Sequence, residues 1–279
     1  MHHHDSSSAS SALSALDGWL AFEVLVVALL LVATAGYAWF LWTGRHRSPW
    51  PALRILLFYL GLACAGVSLV GPLARSAHDS FTAHMVGHLL LGMIAPLLLV
   101  LSAPVSVMLR GLPVRRARAV VRVLRSPYVR VITHPVVAAI LNAGGLWLLY
   151  ATPLFHAMHG SVWVHALVHA HIFLAGYVFT ASLVGADPDP HRAPFKLRAG
   201  VLIGFIAAHS ILAKWLYAHP PASVEYGDGQ FGAQLMYYGG DAVDVLLIVL
   251  LFAGWYRATR PRSMTSASMR MSTGERTER

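Results

Sequence analysis

Apolar residues in this chain come in long, nearly unbroken runs, unlike the alternation of a half-buried strand or the stripe of a surface helix. Runs over 19–42, 53–71, 82–109, 135–151, 164–185, 198–217 and 234–256 approach or exceed the roughly 20 residues that a helix needs to cross a hydrocarbon core about 30 Å thick. In lipid every backbone polar group must be bonded internally, and a helix does this within one segment. The pattern therefore predicts an all-α, polytopic membrane bundle of seven transmembrane helices. The third run is the longest and contains Pro96 and Pro104, so a kink or an early break is expected in its second half. Aromatic rings gather near the ends of the runs, at Trp19, Trp39, Trp42, Trp163, Trp215, Tyr217, Trp255 and Tyr256, where an amphipathic ring suits the headgroup level.

Composition supports this reading, since 57% of the 279 residues are hydrophobic and 12% are charged. The net charge of +9 would fit a nucleic-acid binder, but its distribution points elsewhere. Nineteen of the 21 Lys and Arg residues fall in the first, third and fifth loops or from Arg257 onward, leaving Arg75 and Lys214. Positive juxtamembrane loops are retained in the cytoplasm, so the expected orientation has the N-terminus outside and the C-terminus cytoplasmic. The basic bias is then topology, and no nucleic acid is expected as a partner. Residues 1–18, Ser-rich and without Lys or Arg, lack the basic start of a cleavable signal; they read as a disordered segment, with the first run retained as an anchor. The seven-helix domain spans 19–257, and the basic tail 258–279 reads as disordered and able to touch anionic membrane lipid.

The single cysteine, Cys64, lies within the second run and excludes a disulfide framework, a zinc ribbon and a CxxC pair. Histidine is the abundant ligand type, at 16 residues. His84 and His88 open the third span, and His165 and His169 open the fifth. Residues four apart share one helix face about 6 Å apart along the axis. Both pairs start from the same side of the membrane and run in the same direction, so they can meet at one depth. The last span brings Asp241 to a similar region and the sixth brings His209. Ionisable groups in a bilayer are costly and usually face the bundle interior. His84, His88, His165, His169, Asp241 and His209 are therefore the candidate metal residues, with Asp241 a ligand, a carboxylate orienting an imidazole or a partner for Lys214. His78, His134, His156, His159, His191 and His219 read as interfacial hydrogen-bonding residues, and His171 is turned away from the shared face. A terminal run, His2–His4, is of a kind that can pick up metal without a built site and is set aside. An imidazole-rich, thiolate-free set suits copper, zinc, iron or haem, and ligand type alone does not choose among them.

The stretch from Ser80 through His84, His88 and Pro96 to Pro104, with Thr133-His134-Pro135, the HxxxH of His165 and His169, Asp187-Pro188, and Met236 with Gly239-Gly240-Asp241, resembles the multi-span CtaG family of cytochrome c oxidase assembly proteins. The resemblance covers roughly residues 20–257. It implies a non-enzymatic protein of the bacterial inner membrane that assists copper delivery to the haem–copper centre of a terminal oxidase. Implied partners are the oxidase catalytic subunit and an extracytoplasmic copper donor. This chain departs from the family pattern at Gly87 and Tyr237, and at Asp228, which is followed by Gly229. The rival readings are an intramembrane zinc hydrolase using Ser80, the histidines and Asp241, a haem protein, and a metal-free scaffold.

Overall fold

The computed structural model describes residues 5–47 and 49–260, and among these it is helical with no strand. Helix α1 runs Asp5–Gly44 and α2 Ala52–Leu69. A short α3, Pro72–Asp79, leads into the third span. That span is divided into α4 (Phe81–Leu89), a π-helical turn (Leu90–Ile94), α5 (Ala95–Ser102) and α6 (Pro104–Gly111). Helices α7 (Val114–Leu124) and α8 (Pro127–Ile132) fill the following loop. After them come α9 (Pro135–Ala151), α10 (Leu154–Gly160), α11 (Val162–Val184), α12 (Phe195–Ala218) and α13 (Tyr226–Thr259). Among the described residues six helices are long and apolar enough to cross a membrane, and the count is seven when the bent pair α9–α10 is taken as one span.

Two expectations change in detail. Residues 5–18, set apart from the pattern as a disordered segment, continue α1 toward the N-terminus. The stretch from Asp5 to Asp17 has no Pro, Gly or β-branched residue and is rich in Ala, Leu and Ser, so nothing in it stops a helix. Residues 1–4 and 261–279 lie outside the described residues. The fourth span, placed at 135–151, matches α9, whose 17 residues extend only about 25 Å. It stops at Ala151 because Pro153 disfavours helical backbone at Thr152, which is extended at φ −126°, ψ 171°. The chain then bends by 78° into α10, which packs back against α9 and α11.

The third span is the central staff of the bundle: 61% of its most apolar stretch is buried, against 11% for the first span. Its two prolines interrupt the regular helix, as expected. Pro96 has no N–H to give the carbonyl of Gly92, and the turn before it widens so that the Ala95 N–H bonds the carbonyl of Leu90, a π-type step. At this point α11 passes close, and a methyl group on Gly176 would run into the Gly92 carbonyl oxygen. Pro104 opens α6 at a break where Ala103 is left-handed at φ 55°, ψ 59°.

Aspartates from elsewhere in the chain hold both pieces of this span at their N-termini. Asp228, at the start of α13, accepts hydrogen bonds from the N–H groups of Phe81 (2.6 Å) and Thr82 (3.2 Å) and from the Ser80 hydroxyl (3.2 Å). Asp187, beyond α11, accepts from the N–H groups of Val105 (3.1 Å) and Ser106 (2.6 Å) and from the Ser106 hydroxyl (2.7 Å). A carboxylate at a helix N-terminus satisfies orphan donors and favours the helix dipole. Asp228→Ala and Asp187→Ala are each expected to cost about 1–2 kcal/mol, read as a fall in melting temperature in detergent. An unchanged melting temperature for both would refute the capping role.

Apolar packing lies in layers along the staff. Near its start, Phe81, Met85, Leu149, Tyr150, Phe155, Met158, Leu216 and Met236 form one cluster. Farther along, Leu97, Phe179, Leu183, Phe205, Leu247 and Leu251 form another. Outward-facing Leu25, Leu29, Val32, Leu174, Ile203 and Val249 are exposed, as lipid-facing positions of a bundle are.

Candidate metal centre

Helix periodicity places each pair of imidazoles. Ser80 caps α4, its hydroxyl accepting from the Ala83 N–H at 3.3 Å, so His84 falls in the first turn and His88 in the second. Both are buried. On α11 the rings of His165 and His169 stack at 4.0 Å between centroids, and His169 Nδ1 lies 2.9 Å from the His165 carbonyl oxygen. The third and fifth spans are adjacent along α5 and the π turn, which brings the His84 and His169 rings to 6.5 Å.

Two further imidazoles complete this group. His78, on α3, lies 5.7 Å from the His165 ring and 5.9 Å from His159. His159, on α10, lies 6.2 Å from His84. The five rings surround a cavity of about 40 Å³ that Trp19, Phe22, Glu23 and Met158 also line, enough room for one water molecule or one ion. Tyr150 fixes the inner wall: its hydroxyl is 3.1 Å from His84 Nε2 and 3.9 Å from Met85 Sδ. His165 Nδ1 is buried without a hydrogen-bond partner among the described residues. Partial burial, together with the charge of neighbouring His159, holds His78 below the ordinary imidazole value, against a smaller opposing pull from Asp79. Its neutral, lone-pair-bearing form therefore prevails at pH 7. Outside the ring a wider cleft of about 530 Å³ opens, lined by His78, His156, His159, Asp79, Glu225 and Asp228. His78 and His159 border both spaces.

The other candidates form a second tier deeper in the bundle. His88 and His209 are buried with both ring nitrogens lacking a hydrogen-bond partner among the described residues. His209 and His169 lie within electrostatic reach of His88, and Asp241 within reach of His209. Helix α13 meets α12 here so closely that a Cβ on Gly240 would stand 2.5 Å from His209 Cε1. Asp241 is half-buried. Asp244, one turn on, is 2% exposed, and neither carboxylate oxygen has a partner among the described residues. Among those residues no three His, Cys, Asp or Glu side chains are arranged to hold one ion as they stand. The six candidates thus divide between a ring at the mouth (His84, His165, His169) and a deeper tier (His88, His209, Asp241).

Sequence reasoning missed His78 and His159 as members of the ring and Asp244 as the buried acid. His78 and His159 were legible only as lying on the same side as the pairs, because the short helices that carry them have no membrane register. His171 behaves as expected, turning to α9 with Nε2 3.0 Å from the Leu141 carbonyl oxygen. Lys214 is exposed and its ammonium stands 5.1 Å over the Tyr237 ring. Ser80 and Asp228, the former a candidate for hydrolytic chemistry, are both engaged in capping α4.

An uncharacterized protein of Mycobacterium leprae is 27% identical over 258 residues, covering 85% of this chain and 39% of the relative. Uncharacterized proteins of Mycobacterium bovis and Mycobacterium tuberculosis are each 32% identical over 199 residues, covering 68% of this chain and 30% of each relative. The chain thus spans about a third of the length of these curated relatives. No solved structure matches it. The model of the cytochrome c oxidase caa3 assembly factor family matches residues 35–258, the stretch that holds the central staff, both histidine pairs and the second tier, and the chain belongs to that family.

Proposed function

We propose that this multi-pass membrane protein assists assembly of a terminal oxidase by carrying copper as cargo, without catalysis. The observation that carries the reading is the ring of five imidazoles from four helices around one small cavity, flanked by the buried thioethers of Met85 and Met158. Neutral nitrogen and sulfur donors without thiolate suit copper, and they permit exchange more readily than a closed thiolate cage. The cleft lined by Asp79, Glu225, Asp228 and His156 supplies an approach that attracts a cation, and His78 and His159 stand between it and the cavity. His84, His165 and His169 are the residues that would hold the ion. His88, His209 and Asp241 offer a deeper tier that balances its charge or receives it.

Charge placement supports a bacterial inner-membrane protein whose histidine end faces outward and whose arginine end faces the cytoplasm. Copper from an extracytoplasmic donor would then enter at the histidine end and leave toward the oxidase catalytic subunit on the same side. The test is the metal content and absorption spectrum of detergent-purified protein lacking residues 1–17, loaded with copper or zinc. About one copper per chain is expected. Zinc retained in preference to copper would move the reading to a hydrolase, a Soret band to a haem protein, and no metal under copper-replete conditions to a scaffold.

A further inference from the structure

The end of the bundle opposite the histidines carries a groove that the copper reading does not use. It lies where α7 folds against the end of α6, has a volume of about 810 Å³, and is rimmed by Arg47, Arg118, Arg122 and Arg125. Its floor is apolar, with Leu109, Leu112, Ala117 and Val121, and no carboxylate lines it. Arg118 and Arg122, four residues apart, share one face of α7, and Arg125 follows at its C-terminal end. Beside them Val114, Val123, Tyr128 and Val131 are 58–80% exposed, which is stable only where hydrocarbon covers them.

We propose that this groove binds an anionic glycerophospholipid, with guanidinium groups of Arg118, Arg122, Arg125 and Arg47 on the phosphate and the acyl stems on the Leu109, Leu112 and Val121 floor. Guanidinium matches phosphate oxygens in a two-pronged geometry. Four cations facing one groove with no acid opposite them call for an anionic occupant, and the apolar floor selects a lipid over a soluble anion. A basic amphipathic helix at the membrane surface is suited to such a partner. The bound headgroup would tie α7 to the start of the loop after α1 and so brace the arginine end of the staff.

The test titrates labelled phosphatidylglycerol, and phosphatidylcholine with the same label, into the full chain in a non-ionic detergent. Saturable phosphatidylglycerol binding at least about tenfold tighter than phosphatidylcholine is expected, and Arg118→Gln/Arg122→Gln weakens it about tenfold or more. Arg257→Gln/Arg260→Gln, an equal loss of charge outside the groove, leaves it unchanged. Equal binding of the two lipids, or equal loss in both double variants, would overturn the proposal. So would full displacement by millimolar inorganic phosphate, which would mark a free-phosphate site. Tighter lipid binding after removal of residues 261–279 would overturn it too, since it would make the tail, with Glu275 and Glu278, the groove's occupant. Copper content, unchanged across these variants, keeps the outcome separate from the metal reading.

Discussion

The variant His84→Ala/His165→Ala is expected to lose copper almost completely, its affinity falling by at least about a hundredfold. Losing a group that only orients a ligand costs about 10- to 100-fold, and this variant removes one imidazole from each side of the cavity. Neither α4 nor α11 can replace the missing ring, because His88 sits one turn deeper on α4 and His169 is already a member of the ring. Tyr150→Phe tests the support of His84: it keeps the edge-on and tilted ring contacts with Phe81 and Phe155 but removes the hydroxyl 3.1 Å from His84 Nε2. A loss of about tenfold is expected. His171→Ala, on the outward side of α11, leaves copper unchanged. Stoichiometric copper in the double variant, with unchanged oxidase copper loading in cells, would end the carrier reading.

Gly176→Ala is expected to be strongly destabilising, its added methyl meeting backbone closer than at any other described glycine. Where an added methylene meets only a flexible neighbouring side chain, rotation absorbs it at about 1–3 kcal/mol. At Gly176 the obstacle is the backbone of the π turn, the Gly92 carbonyl oxygen, with Pro96 Cγ 3.3 Å away, and neither can rotate aside. The cost should reach or exceed about 3 kcal/mol, seen as poor accumulation or a melting temperature lowered by many degrees. Copper binding should fall with it, because α11 carries His165 and His169. Gly200→Ala on α12 is the contrast: nothing lies within 4 Å of its Cβ position, and it should stabilise by about 0.5–1 kcal/mol. A Gly176→Ala protein that melts like wild type would show that the two helices are not in backbone contact.

How far the site could be read in the sequence follows from how local each signal is. The spans were legible because a stretch such as 164–185 must be apolar along its length to lie in lipid. The HxxxH pairs were legible because four-residue spacing fixes a shared face on any helix. The break near Pro104 was expected from the missing N–H groups, whereas the π-type widening before Pro96 was not. His78 and His159 were not placed, because they ride on α3 and α10, eight- and seven-residue pieces whose direction depends on what they pack against. The proximity of His209 to Gly240 and the burial of Asp244 depend on how α12 meets α13, a relation that helix periodicity does not contain. Asp228 stood out as a departure from a family pattern, yet its role required knowing that α13 begins beside the start of α4.

The Asp228 contact also sets an order of events during synthesis. The donors it satisfies, at Phe81 and Thr82, precede it by 147 and 146 residues. When α4 first leaves the ribosome, its N–H groups have no carboxylate to receive them. They keep that deficit through the making of α5 to α12. Only when the start of the final span is delivered does the first histidine helix acquire its anchor. On the copper-carrier reading, a nascent chain would therefore have no anchored mouth to load until the start of α13 is in place.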